Sequence, residues 1–221
     1  MTASNRTFDT FIFDLDGTLL DTMPDLVVVT NTTLRDFGFP ERTHEEIHSF
    51  VGNGGRRLIY QAVPAGTDDA TIDAAFAHWT ELYPRIGSKL TAPYEGMPEA
   101  LASLRKRGCA LGVLSNKYDG GVQDVIPQFL PGLFDAMHGE CADIPRKPDP
   151  TGLLRTIREL GSTPERTAYV GDSAGDMTVA HNAGTFAIGV SWGYNPVDSL
   201  REAGADAIID APDGLLQFAR A

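Results

Sequence analysis

The chain has 221 residues, 42% hydrophobic and 22% charged, which suits one sizeable globular domain or a domain with a smaller companion. A formal net charge of −12 at pH 7 excludes a broad basic face for nucleic acid, and no apolar run reaches the roughly 18 residues of a membrane span. The first residues lack the apolar core of a signal peptide and the two cysteines form no disulfide pattern, so we expect a cytoplasmic protein.

Five short apolar runs predict buried strands, and helical patterns alternate with the later ones. The strands are predicted at residues 10–15, 110–115, 167–172, 185–190 and 206–210. The helices are predicted at residues 97–107, 119–129, 150–160, 174–183 and 196–203. Alternating strands and helices indicate a parallel sheet covered by helices on both faces, so the predicted fold class is α/β.

The segment between residues 22 and 90 breaks this alternation, because it contains no convincing strand. Helical stretches are predicted there at residues 24–37, 43–49, 53–63 and 68–84. The sequence therefore predicts an all-helical insertion at residues 20–92, placed inside an α/β domain that consists of residues 1–19 and 93–221.

One motif in the insertion imitates a metal site. Residues 44–48, HEEIH, match the H-E-x-x-H pattern of zinc proteases. A structural explanation is favoured, because Thr43 and Glu46 have the spacing of a capping box, which would place His44 in the first turn of a short helix. We therefore expect a capped helix here rather than a zinc site.

Polar residues follow the predicted strands or precede the helices, which is where an open parallel sheet places its ligands. They are Asp14 and Asp16 at the end of the first strand, Ser115 and Asn116 at the end of the second, Lys147 shortly before a helix, and Asp172 at the end of the third strand with Ser173 and Asp176 following it. Because the carboxyl ends of parallel strands meet at one edge of a sheet, these endings predict a common site.

The two aspartates of the stretch FDLDGT, Asp14 and Asp16, would repel each other without a compensating positive charge. Carboxylate oxygens suit a hard cation, and Mg2+ fits because it takes few carboxylates and keeps waters for a phosphate group. With Lys147 as a second positive charge, such a site would stabilise in-line phosphoryl transfer. One aspartate could attack phosphorus, while the other gives a proton to the leaving oxygen and later takes one from water.

Four smaller or neutral residues are candidates for contact with the phosphorylated substrate. Thr18 and Ser115 would donate hydroxyl hydrogen bonds to phosphate oxygens, and Gly17 would let the backbone turn tightly beside them. Asn116 and Lys117 could line the same pocket, or they could instead form a turn, and Asn116 is taken as the candidate. The expected partner is therefore a small phosphorylated metabolite.

Four stretches, DLDGTLLDT, LSNK, RKPDP and GDSAGD, resemble the four ordered motifs of the haloacid dehalogenase superfamily of phosphohydrolases. The resemblance covers nearly the whole chain. It implies a Rossmann-like core with the helical insertion as a cap over the site. It also implies that Asp14 is the nucleophile and a metal ligand, and that Asp16 is the acid and base, with its backbone carbonyl on the metal.

The same resemblance assigns the later motifs. Ser115 and Lys147 would hold the phosphoryl group. Asp172 would be a metal ligand, with Asp176 and Ser173 in support.

A finer resemblance is to the phosphoglycolate phosphatases, carried by FDLDGTLLDTMPDL, VGNGGRRLI, LSNKYDG and VSWGYNP. It implies 2-phosphoglycolate as the substrate. We expect the protein to work as a monomer or a homodimer. Arg56 or Arg57, in the glycine-rich stretch of the insertion, could bind the substrate carboxylate through two parallel hydrogen bonds. Arg56 is taken as the candidate, although the sequence does not distinguish the two.

Other functions stay open at this point. The substrate could be a sugar phosphate, a nucleotide or a pyrophosphate, and a phosphomutase would use the same phospho-aspartate. A dehalogenase of the same superfamily would need neither Asp16 nor Mg2+, so Asp16 argues against it. A binding module without catalysis is disfavoured by the complete set of motifs.

Overall fold

The computed structural model describes residues 6–86 and 88–220 of the chain. Residues 1–5, on which the expectation of a missing signal peptide partly rests, lie outside the described residues. So does residue 221, the last of the predicted α/β domain.

The chain divides into two compact units. Met1–Leu20 and Pro93–Ala221 form the first, here called the core unit. Asp21–Ala92 forms the second, here called the helical insertion, and it begins one residue later than the insertion predicted at residues 20–92.

Eight strands are present in the described residues, and six of them form the main sheet of the core unit. The strands are β1 Thr10–Phe13, β2 Leu20–Asp21, β3 Ala92–Pro93, β4 Ala110–Tyr118, β5 Ala136–Glu140, β6 Thr167–Gly171, β7 Phe186–Val190 and β8 Ala207–Ile209. The main sheet has the order β5-β4-β1-β6-β7-β8, and all its neighbouring strands are parallel. The short strands β2 and β3 pair with each other where the chain passes between the units.

Nine α-helices are described, four in the insertion and five in the core unit. The insertion contains α1 Met23–Asp36, α2 His44–Phe50, α3 Gly55–Ala62 and α4 Asp69–Ile86. The core unit contains α5 Met97–Lys106, α6 Asp119–Phe129, α7 Thr151–Glu159, α8 Ala174–Ala183 and α9 Val197–Glu202. From β4 onward a helix connects each strand to the next, as parallel strands require. The predicted α/β class with a helical insertion is confirmed.

β1 lies at the centre of the main sheet because its sequence, TFIF, suits burial on both faces. All four residues are buried, and Ile12 lies opposite Gly112 of β4 on one side and Tyr169 of β6 on the other. The chain thus continues from β1 to one side of the sheet and later returns to the other side. The carboxyl end of β1 is therefore the switch point at which open α/β sheets bind ligands.

The structure differs from the predicted elements at two strands of the main sheet, and the short strands β2 and β3 were not predicted. β4 runs to Tyr118, three residues beyond the predicted end, because its polar residues continue the strand past an irregularity and Tyr118 pairs with Glu140. β5 is absent from the predicted strands, since AMHGE carries too few apolar residues to form a recognisable run. Both errors concern polar stretches of neighbouring strands on the β4 side of β1.

The helical insertion has its own core around Trp79. This ring is 2% exposed, packs beside Tyr83, and donates its Nε1–H to the Thr30 hydroxyl at 3.2 Å. Trp79 thereby links α4 to α1. Within the described residues, no helix combines the length and hydrophobicity needed to cross a bilayer.

Asp25 ties the two ends of the insertion together. The side chain is 1% exposed although it carries a carboxylate. It accepts hydrogen bonds from the backbone N–H groups of Lys89, Leu90 and Thr91 at 3.2, 2.9 and 2.6 Å, and from the Thr91 hydroxyl at 2.7 Å. The carboxylate thus holds the returning chain against the first turn of α1.

Candidate active site

Three acidic side chains meet beside the carboxyl ends of the central strands. Asp14 follows β1, Asp172 follows β6, and Asp176 lies in the first turn of α8. One carboxylate oxygen from each lies within 4.8 Å of those of the other two. The structure therefore brings together residues that the sequence predicted to share one edge of the sheet.

The Asp14 carboxylate is buried, and one of its two oxygens, Oδ1, contacts other groups of the protein. Its Oδ1 accepts a hydrogen bond from the Leu15 N–H at 2.7 Å and lies 3.0 Å from Lys147 Nζ. Burial raises the pKa of Asp14 to about 6, Lys147 opposes this rise, and Asp176 and Asp16 add to it. Because both contacts fall on Oδ1, Oδ2 is the oxygen available for chemistry.

Lys147 is the cation of this cluster. Its Nζ is 2.7 Å from Asp176 Oδ1 and donates to the Tyr169 hydroxyl at 3.0 Å. Burial by itself would lower the pKa of Lys147, but Asp14 and Asp176 more than offset it, so the pKa is raised well above its ordinary value. The ammonium therefore stays charged.

Asn116 holds the backbone of Lys147 in place. Its side-chain carbonyl accepts from the Lys147 N–H at 2.7 Å, and its amide donates to the Lys147 carbonyl at 3.4 Å. These contacts give Asn116 a positioning role. The predicted contact of Asn116 with substrate stays a prediction.

Asp172 lies in a tight backbone pocket. Its Oδ2 accepts from the Tyr194 N–H at 2.7 Å, and a Cβ on Gly17, whose φ is +80°, would approach that oxygen to 2.5 Å. A Cβ on Gly193 would lie 2.2 Å from the Asp172 Cβ. Burial, with the charges of Asp176 and Asp14, raises the pKa of Asp172 to about 8. A nearby cation would favour the ionised form.

Asp176 uses both of its oxygens within the protein. Oδ1 contacts Lys147, and Oδ2 accepts from the N–H and hydroxyl of Ser173 at 2.9 and 2.7 Å. Ser173 is the N-cap of α8, and its hydroxyl accepts from the Asp176 N–H in a reciprocal capping box. This pattern supports a positioning role for both residues.

The hydroxyl groups of Thr18 and Ser115, which were predicted to bind phosphate, form different hydrogen bonds in the structure. Thr18 is fully buried, and its hydroxyl donates to Asp172 Oδ1 at 3.4 Å. Ser115 is 4% exposed, and its hydroxyl accepts from the Lys117 N–H at 3.3 Å. Contact of either hydroxyl with phosphate stays a prediction.

A second buried lysine accompanies Asp16. Lys117 Nζ lies 3.2 Å from Asp16 Oδ1, and the Lys117 side chain is only 2% exposed. The sequence left Lys117 undecided between the lining of the site and a turn, and it was not included among the predicted site residues. The signal that could have revealed it is the two-residue strand period, which places Lys117 on the same face as Ser115 if β4 continues.

The donor set at the switch point fits Mg2+. Asp14 and Asp172 offer buried carboxylate oxygens, which a hard cation prefers. Burial is the main cause of their raised pKa values, and a cation bound between them would favour the ionised forms. Among the residues that the structure describes, Asp14, Asp172 and Asp176 are the one group of three or more potential side-chain ligands with such close atoms.

At the HEEIH stretch the predicted capping box is confirmed, with Thr43 and Glu46 exchanging hydrogen bonds of 2.8 and 3.2 Å.

The two candidate arginines of the insertion have partners within that unit. Arg56 Nε donates to Asp73 Oδ1 at 2.7 Å, and its Nη2 is 3.8 Å from Asp69. The Arg57 guanidinium lies 4.7 Å from the centre of the Tyr60 ring. The role of Arg56 in binding substrate stays a prediction.

A parallel α/β sheet with an acidic cluster and a buried lysine at its switch point is typical of enzymes that act on an anionic group. The chain belongs to the haloacid dehalogenase-like hydrolase family, whose family model matches residues 11–190. The resemblance stated from the sequence motifs, and with it the prediction of an enzyme, is confirmed.

The chain is also similar to individual members of this family. It is 34% identical over 197 residues to a phosphoglycolate phosphatase of Pseudomonas putida, covering 85% of this chain and 72% of that protein. It is 32% identical over 208 residues to an N-acetylmuramic acid 6-phosphate phosphatase of Pseudomonas aeruginosa, covering 93% and 92%. The crystal structure of a predicted phosphoglycolate phosphatase from Haemophilus somnus matches with a TM-score of 0.88 at 28% identity, covering 98% of both chains.

Proposed function

We propose that this protein hydrolyses a small phosphate monoester in a Mg2+-dependent reaction with an aspartyl-phosphate intermediate on Asp14. The observation that carries the proposal is the buried arrangement of Asp14, Lys147 and Asp172 at the switch point. An ammonium 3.0 Å from Asp14 is placed beside the position that a phosphoryl group would occupy during attack.

The chemistry divides between the two aspartates. Asp14 Oδ2 forms a bond to phosphorus while the ester P–O bond breaks, and Asp16 gives its proton to the leaving oxygen. Water then attacks the phospho-aspartate, Asp16 takes a proton from that water, and inorganic phosphate leaves. Lys147 and Ser115 hold the phosphoryl oxygens through both steps.

The residues that would hold Mg2+ are Asp14, Asp172 and the backbone carbonyl of Asp16. When bound, the cation would neutralise charge on the phosphoryl oxygens. Asp176 is left as an outer support, because both of its oxygens already contact Lys147 or Ser173.

The substrate proposed first is 2-phosphoglycolate, in line with the P. putida relative. A second candidate is N-acetylmuramic acid 6-phosphate, because the relative with that activity aligns over 92% of its own length. Both compounds combine a phosphate monoester with a carboxylate, which suits a bidentate arginine such as Arg56 or Arg57.

The deciding experiment is a panel of phosphate esters assayed with and without Mg2+. It contains both candidate substrates, other sugar phosphates, nucleotides and pyrophosphate, with Asp14→Asn as the inactive control. We expect phosphate release that needs Mg2+ and Asp14. Activity without either would contradict the mechanism, a preference for other esters would contradict the substrate assignment, and a bisphosphate product would indicate a phosphomutase.

A further inference from the structure

Lys117 is a buried lysine that the proposed mechanism does not use. Its Nζ lies 3.2 Å from Asp16 Oδ1, with the two side chains 2% and 16% exposed. Lys147 instead contacts Asp14 and Asp176. Each aspartate of the FDLDGT stretch therefore has its own lysine.

The fold makes room for Lys117 with two glycines. A Cβ on Gly121 of α6 would lie 3.2 Å from the Lys117 Cε and 2.8 Å from the Tyr118 ring. A Cβ on Gly139 of β5 would lie 2.5 Å from the Lys117 carbonyl oxygen. Because a buried ammonium is costly without acceptors for its hydrogen bonds, the contact with Asp16 belongs to the folded site and not to a solvated surface.

We propose that Lys117 is the positioning residue of Asp16. An ammonium has three donors and no acceptor, so the Oδ1 that it contacts serves as an acceptor. Lys117 thereby fixes the orientation of the Asp16 carboxyl group, so that Oδ2 rather than Oδ1 faces the ester. This inference rests on the proposed function, in which Asp16 protonates the leaving oxygen as the P–O bond breaks.

If Lys117 has this role, its replacement lowers kcat/KM by a factor that depends on the leaving group of the ester. An aryl phosphate such as p-nitrophenyl phosphate needs little help from an acid, whereas an alkyl phosphate needs the proton. A lysine that only stabilised the fold, or that only bound the phosphoryl group, would affect both esters equally. The ratio of the two kcat/KM values, measured on one sample, is also independent of the fraction that is folded.

The test compares Lys117→Met, Lys117→Arg and the control Lys106→Met, which alters an exposed lysine of α5. The substrates are p-nitrophenyl phosphate and the best alkyl phosphate of the panel. We expect Lys117→Met to lower kcat/KM for the alkyl ester about tenfold more than for the aryl ester, as a partial loss of general-acid catalysis. Lys117→Arg should recover part of the difference, and Lys106→Met should match the unaltered protein. In an Asp16→Asn background, Lys117→Met should add no further change in the ratio.

Equal losses on the two esters, or no loss, would overturn the positioning role and leave the proposed function standing. If the unaltered protein with Mg2+ hydrolyses neither ester, the proposed function itself fails. If Lys117→Met is insoluble, the ratio for Lys117→Arg decides. A changed ratio supports the proposal and an unchanged ratio rejects it, because a planar guanidinium does not place its donors where an ammonium does.

Discussion

Lys147 lies closer to Asp176 than to Asp14. Its Nζ is 2.7 Å from Asp176 Oδ1 and 3.0 Å from Asp14 Oδ1. Asp176 is fully buried and is itself held by Ser173 at the start of α8. The ammonium that Asp14 faces is therefore also held by a carboxylate at the start of α8.

The first prediction concerns this anchor. Asp176→Asn should lower the free energy of unfolding by about 3 kcal/mol, because it leaves the buried Lys147 with one counter-charge fewer. The control Ser173→Ala removes the helix cap but keeps the ion pair, and should cost only about 1 kcal/mol. Urea denaturation of both variants measures the difference. Similar losses would show that Asp176 acts through the cap alone.

The second prediction separates the two aspartates. Asp14→Asn should remove the phospho-enzyme, whereas Asp16→Asn should still form it from p-nitrophenyl phosphate. For alkyl phosphates, Asp16→Asn should lower kcat/KM by about 100-fold or more, since the leaving oxygen loses its acid. Rapid-quench detection of phospho-enzyme and kcat/KM values for the two ester types provide the measurement. An equal loss across leaving groups would argue against this division of labour.

The third prediction links metal binding to pH. The pKa values of Asp14 and Asp172 are raised to about 6 and about 8. A carboxyl group with a raised folded pKa contributes stability that is full below its unfolded pKa, about 4, and is lost as the pH rises through the folded pKa. The metal-free protein should therefore lose stability through these groups between about pH 4 and about pH 8.

Mg2+ should reverse this loss, because a cation binds the ionised carboxylates. We expect the rise in Tm on adding Mg2+ to be larger at about pH 8 than at about pH 6. Thermal unfolding with and without Mg2+ measures it, and Asp172→Asn is the control in which the rise should largely disappear. A rise that is independent of pH, or that survives this substitution, would place the cation elsewhere.

The sequence could show that Asp14 and Asp172 lie near each other, because this follows from the residues directly before them in the chain. Asp14 and Asp172 follow apolar runs, and the ends of parallel strands meet at the same edge of the sheet. The sequence could not decide whether Lys117 lines the site or belongs to a turn, because a lysine in a polar stretch is usually solvated and only the continuation of β4 buries it. β5 was missed for a related reason, since hydrogen bonds to β4 stabilise this strand although its composition lacks an apolar run.

The hydrogen bonds of Asp25 could not be predicted from sequence patterns either. Its three backbone donors come from residues 89–91, more than 60 positions along the chain. Composition marks these residues as a linker, and no periodicity links them to α1. Such long-range hydrogen bonds become visible only in three dimensions.

The fourth prediction tests this tie within the insertion. Asp25→Asn should destabilise the insertion by about 2–4 kcal/mol, because the amide cannot accept from all four donors and is itself buried. The matched control is Asp36→Asn, which alters an exposed aspartate paired with His78 and should cost less than about 1 kcal/mol. Hydrogen exchange of the amides of residues 89–91 should accelerate in Asp25→Asn alone. Unchanged exchange would mean that other contacts hold the returning chain.

The last prediction uses two adjacent glycines of α6 to displace Lys117 without altering it. Both lie in the first turn, so replacement by alanine brings the same gain in helix propensity. At Gly121 a Cβ would approach the Tyr118 ring to 2.8 Å and the Lys117 Cε to 3.2 Å, whereas at Gly120 its nearest contact is 3.3 Å. Gly121→Ala should therefore shift Lys117 and lower the alkyl-to-aryl ratio of kcat/KM, while Gly120→Ala should leave that ratio unchanged. A ratio that moves equally in both variants would mean that the effect comes from α6 rather than from the ion pair of Lys117 with Asp16.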